Sequence, residues 1–528
     1  MLDFSKSKIR RIKGIGAIIT TFGVGELSAV NAIAGAYVEL SPVFHIVGTP
    51  PRASQDARLL IHHTFADGEY GQFAKMHAHV TVAQTSLWDP RTSAQQIDTV
   101  LQQCLIHHRP VYIQIPVDLV AVNISSARLQ TPLSSSAMDV NFSPEREAVL
   151  AKILERIYSA KRPVIIADGE CRPFGIVSDV QALIDTTGWP TWTTNFGKGL
   201  FDETRSNFHG IYRGEFSDRS VKETIDRADL ILFFGPHLSS SNTYGFTALP
   251  TSKVAIFIKS TQVELGSDIF RDVSASYVAS GLLHHIDVNK IAKYDPYPLL
   301  PRDSQLPLSA LADDSGLIYQ DKLWRSIANI LRPGDIVLGE TGTAGYGVRD
   351  MPLPPHTRLF TPVTWLSIGF MLPAAQGAAL AQREMIAESN YYGLKQGQAR
   401  TILLIGDGSF QMTAQELATI IRHNLDVVIF LINNDGYTIE RCIHGRKQEY
   451  NDISTWRHLH APHLFGASKD TYTATCRTWS ELHDVLINAQ LGSGSGLRMV
   501  EVFMDREDAP TGPLLQYLET QKAKETLA

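Results

Sequence analysis

The stretch that decides the fold is "TILLIGDGSFQMTAQELATIIRHNLDVVIFLINNDGYTIE", residues 401–440. It begins with the apolar run "TILLI", which ends at a polar turn around Asp407, and a helical pattern follows. A second apolar run, "VVIFLI", ends in a second polar turn, "NNDG". Near-continuous apolar strands separated by a helix predict a parallel sheet covered on both faces. Ligands bind such sheets beyond the carboxyl ends of the strands. Both polar turns are therefore predicted to lie at the ligand-binding edge.

The residue types in these two turns suit a metal ion and a phosphate group. The glycines flanking Asp407 permit a sharp turn and let backbone amides approach an anion at a helix N-terminus. Ser409 can cap that helix or donate to a phosphate oxygen. The Asp407 carboxylate, the Asn434 amide oxygen and the Gly436 carbonyl, together with phosphate oxygens, suit octahedral Mg²⁺. Each turn alone is common, but the pair indicates one metal ion and one diphosphate.

The same strand–helix rhythm runs through three segments of the chain. "GAIITTF", "VFHIVG" and "PVYIQIP" mark strands in the first segment, and "PVIIAD", "ADLILFFG" and "KVAIFIK" mark them in the second. Two polar, Ser- or Pro-containing stretches, 119–144 and 288–316, are predicted linkers. The predicted divisions are an N-terminal domain (1–118), a central domain (145–287), a C-terminal domain (317–508) and a tail or terminal helix (509–528).

Composition excludes several classes of function. The 528 residues are 44% hydrophobic and 19% charged, with a net charge of −6, which is typical of a soluble globular protein without affinity for nucleic acid or membranes. The four cysteines lie far apart, which argues against a zinc site or disulfides and favours a reducing, cytoplasmic location. The basic and mildly apolar residues 6–29 have some signal-peptide character, but we interpret them as the entry into the first strand.

The chain resembles a known family. "GDGS" and "NNDGYTIE" resemble the diphosphate motif of thiamine-diphosphate enzymes, especially pyruvate and indolepyruvate decarboxylases. "TTFGVGELSAVNAIAGAYVE", "HHT", "RPVYIQIP", "GETGT", "SIGF" and "IHG" agree with that family in collinear order over almost the whole chain. The resemblance implies an α/β protein with three doubly wound parallel-sheet domains, the first of them incomplete.

The resemblance also implies roles for individual residues. The implied Mg²⁺ ligands are Asp407, Asn434 and Gly436. The implied contacts of thiamine diphosphate are Val24, Thr343, Leu366, Ser367, Ile368, Gly408, Ser409, Asn434, Asp435, Gly436, Tyr437 and Thr438. The implied catalytic residues are Glu440, His63 and His62, of which His63 is expected to lie nearest to the substrate.

Some of these residues also have a simpler structural interpretation. Ile368 looks like the wedge that bends the cofactor, whereas an isolated isoleucine is usually a core residue. Leu366 replaces a glycine that is usual in the family, and its side chain could crowd the pocket. His62 and His63, expected on one strand, would face opposite ways and so would not share a metal ion. "FGVGELS" imitates a dinucleotide fingerprint, but its third position is serine and no acidic residue follows at the expected distance, so we prefer the thiamine interpretation.

One expected feature does not appear. The family uses a glutamate against the aminopyrimidine ring, and the matching position falls just before Met1. The first glutamate of the chain is Glu26, which is not at that position. Loss of a proton-transfer group typically costs about 10²–10⁴ in rate. The sequence analysis therefore favours an incomplete gene model, an N-terminally truncated chain, over a genuinely inactive homologue.

The expected activity is the decarboxylation of a 2-keto acid to an aldehyde and CO₂ by a homodimer or homotetramer with active sites at subunit interfaces. Pyruvate is the first choice of substrate. Indolepyruvate or phenylpyruvate follows, since Gly345 beside "GETGT" could leave room for a bulkier group. A carboligase and a catalytically impaired homologue are the alternatives.

Overall fold

The computed structural model describes residues 15–131, 133, 144–291 and 300–527. The chain folds as two compact units, residues 1–141 and 142–528. No helix among the described residues combines the length and the apolar character needed to cross a membrane.

The first unit contains a four-stranded parallel sheet in the order β1-β2-β4-β3. Its strands are β1 (Gly16–Thr21), β2 (Val43–Thr49), β3 (Gln84–Ser86) and β4 (Val111–Pro116). Its helices are α1 (Val24–Val38), α2 (Arg52–Asp56), α3 (Gln72–His77) and α4 (Pro90–His107). The longest of them, α4, starts with Asp89 as N-cap and Pro90 in the first turn, a favoured combination.

The second unit begins with a seven-stranded sheet in the order β11-β10-β9-β8-β5-β6-β7. Its strands are β5 (Pro163–Ala167), β6 (Thr191–Thr193), β7 (Phe208–Ile211), β8 (Leu230–Phe234), β9 (Ala255–Ile258), β10 (Gln262–Leu265) and β11 (Asp268–Arg271). Its helices are α5 (Pro144–Ser159), α6 (Val177–Thr187), α7 (Arg219–Asp226) and α8 (Ala275–His285). The strands β10 and β11 run antiparallel to their neighbours, which the predicted parallel pattern did not include.

A six-stranded parallel sheet follows in the order β13-β12-β14-β15-β17-β16. Its strands are β12 (Ile336–Gly339), β13 (Arg358–Phe360), β14 (Thr401–Gly406), β15 (Val427–Asn433), β16 (Thr473–Cys476) and β17 (Leu497–Phe503). Its helices are α9 (Gln320–Ile327), α10 (Thr343–Gly347), α11 (Met371–Ala387), α12 (Asp407–Thr413), α13 (Leu417–Arg422), α14 (Thr438–His444), α15 (Ala461–Leu464), α16 (Trp479–Leu486), α17 (Ala489–Ser493) and α18 (Pro513–Leu527). The order of strands reverses between β12 and β14, and such switch points are where open α/β sheets bind ligands.

Both faces of this third sheet are buried, as the apolar runs predicted. Ile402 and Leu404 belong to the hydrophobic cluster on one face, and Leu403 and Ile405 belong to the cluster on the other. Alternation of side chains along a strand produces this division. Two filled faces fix the register of β14 against β15, so that Gly406 lies opposite Ile432. The two polar turns are thereby held side by side.

Candidate active site at the carboxyl edge of the third sheet

Asp407 connects the two turns directly. It follows β14 and opens α12, with Gly406 as the N-cap residue, and its side chain is buried. Its Oδ1 accepts from the amide of Gly408 at 2.7 Å, and its Oδ2 accepts from the amide of Gly436 in the second turn at 3.1 Å. Burial raises the pKa of Asp407 to about 6, although these two hydrogen bonds oppose the shift. A buried carboxylate of this kind is better stabilised when a cation is beside it.

The side-chain amide of Asn434 lies beside this carboxylate. One of its two terminal atoms is 3.0 Å from the carbonyl oxygen of Gly436 and 3.3 Å from Asp407 Oδ1, and the other is 2.9 Å from the Thr438 hydroxyl. With its nitrogen toward Gly436 and Asp407, the amide hydrogen-bonds both of them. With its oxygen on that side, Asp407, Asn434 and Gly436 offer three oxygens, which is the donor set that Mg²⁺ takes. The residues present therefore fit the predicted metal ion.

The residues predicted to line a diphosphate lie around these oxygens. Gly408 is packed beneath the ring of Tyr437: a Cβ at position 408 would lie 2.4 Å from Tyr437 Cε1. Thr438 begins α14, and its hydroxyl donates to the carbonyl of Arg506 at 2.8 Å. Ser409 is buried as the third residue of α12, and Gly406 takes the capping position that the sequence analysis considered for Ser409. The two turns thus pack directly against each other.

The segment that carries the predicted wedge lies next to α12. Leu366 has the left-handed φ of 53°, and its side chain is 40% exposed. Ser367 and Ile368 are half-buried. The carbonyl of Gly369 accepts from the Thr413 hydroxyl at 2.7 Å, which ties the segment to the end of α12. The segment of Leu366, Ser367 and Ile368 therefore packs against α12, the helix that Asp407 opens.

Glu340 organises the neighbouring end of β12. This buried side chain accepts from the amide of Thr341 at 2.7 Å and from the amide of Met371 at 2.7 Å. Thr343, a predicted contact of the diphosphate, is buried at the start of α10. Gly345 does not provide spare room, because a Cβ there would lie 2.7 Å from the Glu340 carbonyl oxygen. The glycine is required by close packing rather than by a large substrate.

Glu440 lies in the first turn of α14 with its side chain 44% exposed. Its Oε2 is 3.3 Å from Nε2 of His444, one turn further along the same helix. The carboxyl group is thus partly exposed, six residues after Asn434 in the sequence. Within its own unit this residue is not enclosed in the dry cleft that the sequence analysis expected.

The first unit holds His62, His63 and Val24. The two histidines lie in a turn, not on a strand as the sequence analysis expected, and His63 has a φ of 67°. Their rings are perpendicular with centroids 4.6 Å apart, and both lie near Phe22. A Cβ at Gly23 would lie 1.8 Å from the carbonyl oxygen of His63. Gly23 is therefore required by its close packing against this turn. Val24, which follows it, is 54% exposed.

Several charged residues in the two units make buried or turn-stabilising contacts but were not among the predicted site residues. Glu26 is fully buried, accepts from the amide of Gly23 at 2.8 Å and receives the Tyr112 hydroxyl at 2.6 Å. Arg441, Asp452 and Arg506 surround the backbone of the second turn. Nothing in the motif indicates these last two residues, because they come from distant parts of the chain.

Comparison with known proteins gives three matches to family models. They are the thiamine pyrophosphate enzyme N-terminal TPP binding domain (7–74), central domain (150–283) and C-terminal TPP binding domain (340–501). A pyruvate decarboxylase of Aspergillus parasiticus is 51% identical over 505 residues, covering 95% of this chain and 86% of the relative. Pyruvate decarboxylase isozyme 1 of Saccharomyces cerevisiae is 37% identical over 500 residues, covering 95% and 86%.

Among solved structures, the thiamine diphosphate-dependent 4-hydroxybenzoylformate decarboxylase of Rhodococcus jostii superposes with a TM-score of 0.71. The two sequences are 19% identical, and the superposition covers 96% of this chain and 90% of that one. At this level of identity the match shows a shared fold.

Proposed function

The chain belongs to the family of thiamine-diphosphate-dependent 2-keto acid decarboxylases, and from this premise we propose that it converts pyruvate to acetaldehyde and CO₂ with Mg²⁺ holding the cofactor. The choice of pyruvate is supported by the named activity of its relatives. The convergence of the Asp407, Asn434 and Gly436 oxygens carries the proposal of a metal ion.

In this mechanism the protein holds groups in place and moves protons. When bound, thiamine diphosphate supplies the nucleophilic carbon and the acceptor for the electrons that CO₂ leaves behind. Asp407, Asn434 and Gly436 would hold Mg²⁺. Thr343, Gly408, Ser409, Asp435, Tyr437 and Thr438 would surround the diphosphate, and Leu366, Ser367 and Ile368 would support the rings. Val24 would back the aminopyrimidine.

Glu440 would deliver a proton to the carbon that has lost CO₂, and His62 and His63 would exchange protons with the substrate. A carboxyl group and imidazoles suit these roles, because both kinds of side chain can donate and accept protons. Glu440 and the histidine pair lie in different folded units. We propose that the working enzyme is a homodimer or homotetramer in the cytoplasm. The four buried, free cysteines agree with a reducing compartment.

The test is a comparison of Glu440→Gln and Asp407→Ala with the unmodified chain. Aldehyde release from pyruvate would be followed with a coupled dehydrogenase, and magnesium-dependent binding of thiamine diphosphate by calorimetry. We expect Glu440→Gln to bind the cofactor normally while kcat falls by about 10²–10⁴. Asp407→Ala should lose magnesium-dependent binding itself.

Binding without aldehyde or CO₂ from any 2-keto acid would identify a catalytically impaired homologue. A larger kcat/KM for indolepyruvate or phenylpyruvate than for pyruvate would replace the proposed substrate with an aromatic one. Formation of a longer hydroxyketone as the main product would indicate a carboligase. Unchanged magnesium-dependent uptake in Asp407→Ala would contradict the proposed metal site.

A further inference from the structure

Arg441 follows Glu440 directly, but its side chain points into the protein. Its guanidinium group is 1% exposed and lies under the turn formed by residues 434–436. Nη2 donates to the Asp435 carbonyl at 2.6 Å and to Asp452 Oδ1 at 2.7 Å, and Nη1 donates to the Asn434 carbonyl at 3.5 Å. One arginine therefore holds two successive carbonyl groups of the metal-binding turn from beneath.

A second arginine holds the same turn from the outside. Arg506 Nη2 donates to Asp435 Oδ2 at 2.7 Å, to the Asp435 carbonyl at 3.3 Å and to Asp452 Oδ1 at 3.2 Å. Asp452 thus accepts from both arginines. We call Arg441, Asp452 and Arg506 the arginine clamp.

The backbone of the turn explains why it needs such support. Asp435 has a φ of 55° and Gly436 a φ of 118°, both in the left-handed region. A Cβ at Gly436 would lie 2.4 Å from the Asn451 carbonyl oxygen and 2.9 Å from Arg441 Nη2. The carbonyls of Asn434 and Asp435 turn toward the clamp, whereas the carbonyl of Gly436 turns toward the Asn434 side chain and accepts from the amide of Thr438 at 3.2 Å. A carbonyl oxygen has two lone pairs, so the Gly436 carbonyl keeps one for the cation.

We infer that the arginine clamp positions the Gly436 carbonyl and the Asn434 side chain for the metal ion, and that it thereby sets the affinity for magnesium-bound thiamine diphosphate. This inference rests on the proposed function and adds positioning residues to it. Charge-assisted hydrogen bonds are stronger than neutral ones, and residues that orient metal ligands without touching the metal typically contribute 10–100-fold to metal affinity. Arg441 also joins the turn to α14, so the metal-binding turn and the helix that carries Glu440 are held as one piece.

The test is a magnesium titration of the full chain at fixed thiamine diphosphate, followed by calorimetry, for Arg441→Met, Arg441→Lys and Arg506→Met. We expect the apparent Kd for Mg²⁺ to rise about 10–100-fold in Arg441→Met. Lysine keeps the charge but not the planar fork, so Arg441→Lys should recover only part of the affinity. Arg506 is 43% exposed, and Arg506→Met, which removes no buried charge, should fold normally and show a smaller rise in the same direction.

Arg498→Met is the matched control. Arg498 lies on β17 and is as deeply buried as Arg441; it pairs with Asp426 and donates to the carbonyls of Leu491 and Gly494. Asp426 precedes β15, whereas the metal-binding turn follows the other end of that seven-residue strand, about 25 Å away. Arg498→Met should lower stability without a change in the Kd for Mg²⁺.

A second readout needs neither metal nor cofactor. Hydrogen exchange of the amides of residues 434–438 should accelerate in Arg441→Met and Arg506→Met and stay unchanged in Arg498→Met.

Unaltered magnesium affinity and exchange in both clamp variants would overturn the inference while the proposed function stands. An equal loss of affinity in Arg498→Met would overturn it as well, because general destabilisation would then explain the effect. Absence of magnesium-dependent uptake by the unmodified chain would overturn the proposed function itself and the clamp's role with it.

Discussion

His45 is a buried residue whose protonation is coupled to stability. Its side chain is completely buried in the first unit, with Nε2 3.0 Å from the Thr20 hydroxyl and its ring next to those of His77 and Tyr112. Burial, and secondarily the nearby His77, lower the pKa of His45 to about 3. Folding therefore requires the neutral imidazole.

We expect His45→Gln to reduce the loss of stability in acid. Since the folded pKa is lower than the unfolded value of 6.5, the unfolded state binds the extra proton, and the contribution of His45 is present above pH 6.5 and is lost as the pH falls toward 3. The unmodified chain should lose about 2 kcal/mol more unfolding free energy between pH 7 and pH 5 than His45→Gln does. Urea unfolding at both pH values measures this difference, and equal losses would contradict the assigned pKa.

At the scale of single residues, a candidate site residue can be predicted from the sequence when it belongs to a short motif. Asp407, Asn434 and Gly436 were predicted as ligands because their spacing places them at the ends of neighbouring parallel strands, and the structure brings their oxygens together. Arg506 and Asp452 were not predicted. Arg506 reaches Asp435 only after β17 has been added to the sheet, and Asp452 is joined to the turn through Arg441 and Arg506. In the sequence they look like ordinary surface charges.

At the scale of elements, the central sheet is joined to the segment that leads to Leu366. Asp168, at the end of β5, accepts from the backbone amide of His237 at 2.8 Å. The His237 ring lies 3.0 Å from Glu170 Oε1 and, on its other side, 2.6 Å from the Thr364 hydroxyl. Ser241 donates to the carbonyl of Val363. The segment that leads to Leu366, Ser367 and Ile368 is therefore held by the central sheet.

We expect His237→Ala to loosen this segment. Loss of the bridge to Thr364 should accelerate hydrogen exchange of the amides of residues 363–368 and lower the unfolding free energy by about 1–2 kcal/mol. Hydrogen exchange measured by mass spectrometry checks both effects. His483→Ala is the control, because His483 pairs only with the adjacent Asp484 among its described partners. Equal exchange in the two variants would show that the bridge does not restrain the segment.

Long apolar strands were predicted well, and short or polar ones were not. The strands β14 and β15 were predicted correctly, because burial of both of their faces gives each strand a continuous apolar sequence. By contrast, β3 has the sequence "QTS" and is only partly buried, and β10 and β11 hold four residues each around a tight turn at Gly266. Their pairing depends on the neighbouring strand rather than on their own pattern. The turn at His62 and His63 was mistaken for a strand for a similar reason: its backbone is set by packing against Gly23.

At the scale of the whole molecule, cofactor binding and folding are expected to be coupled. A ligand that binds only the folded state stabilises it by mass action, by about 2.7 kcal/mol at a free concentration 100 times its Kd. The two turns proposed to bind Mg²⁺ lie in the unit formed by residues 142–528. Occupation of the site should therefore stabilise that unit.

We expect Mg²⁺ and thiamine diphosphate together to raise the melting temperature of the transition that belongs to residues 142–528 by several degrees. Differential scanning calorimetry measures the shift, and limited proteolysis assigns each transition to its unit. A chelator in excess should remove the shift, because the diphosphate then lacks its metal ion. A shift of the same size with chelator present would mean that the cofactor binds without metal.

The division into three α/β sheets was predicted from the strand rhythm, and the structure confirms that fold class. The predicted linkers at 119–144 and 288–316 include residues 132, 134–143 and 292–299, which lie outside the described part of the chain. The predicted boundaries at 118, 145, 287, 317 and 508 remain predictions. The grouping of two sheets into one compact unit could not be foreseen, because it depends on side-chain contacts such as that between Arg213 and Asp350.

The packing of Tyr437 over Gly408 has a consequence for protein engineering. In a chimera that takes residues 406–409 from a relative but keeps this tyrosine, the turn and the tyrosine ring would come from different proteins. Their close packing would then not be guaranteed. Crossover points placed before β14 and after Arg506 would transfer both loops and the arginine clamp intact, along with the helices and strands between them. Recombination libraries built from such relatives should consequently recover functional offspring mainly when this block is inherited from a single parent.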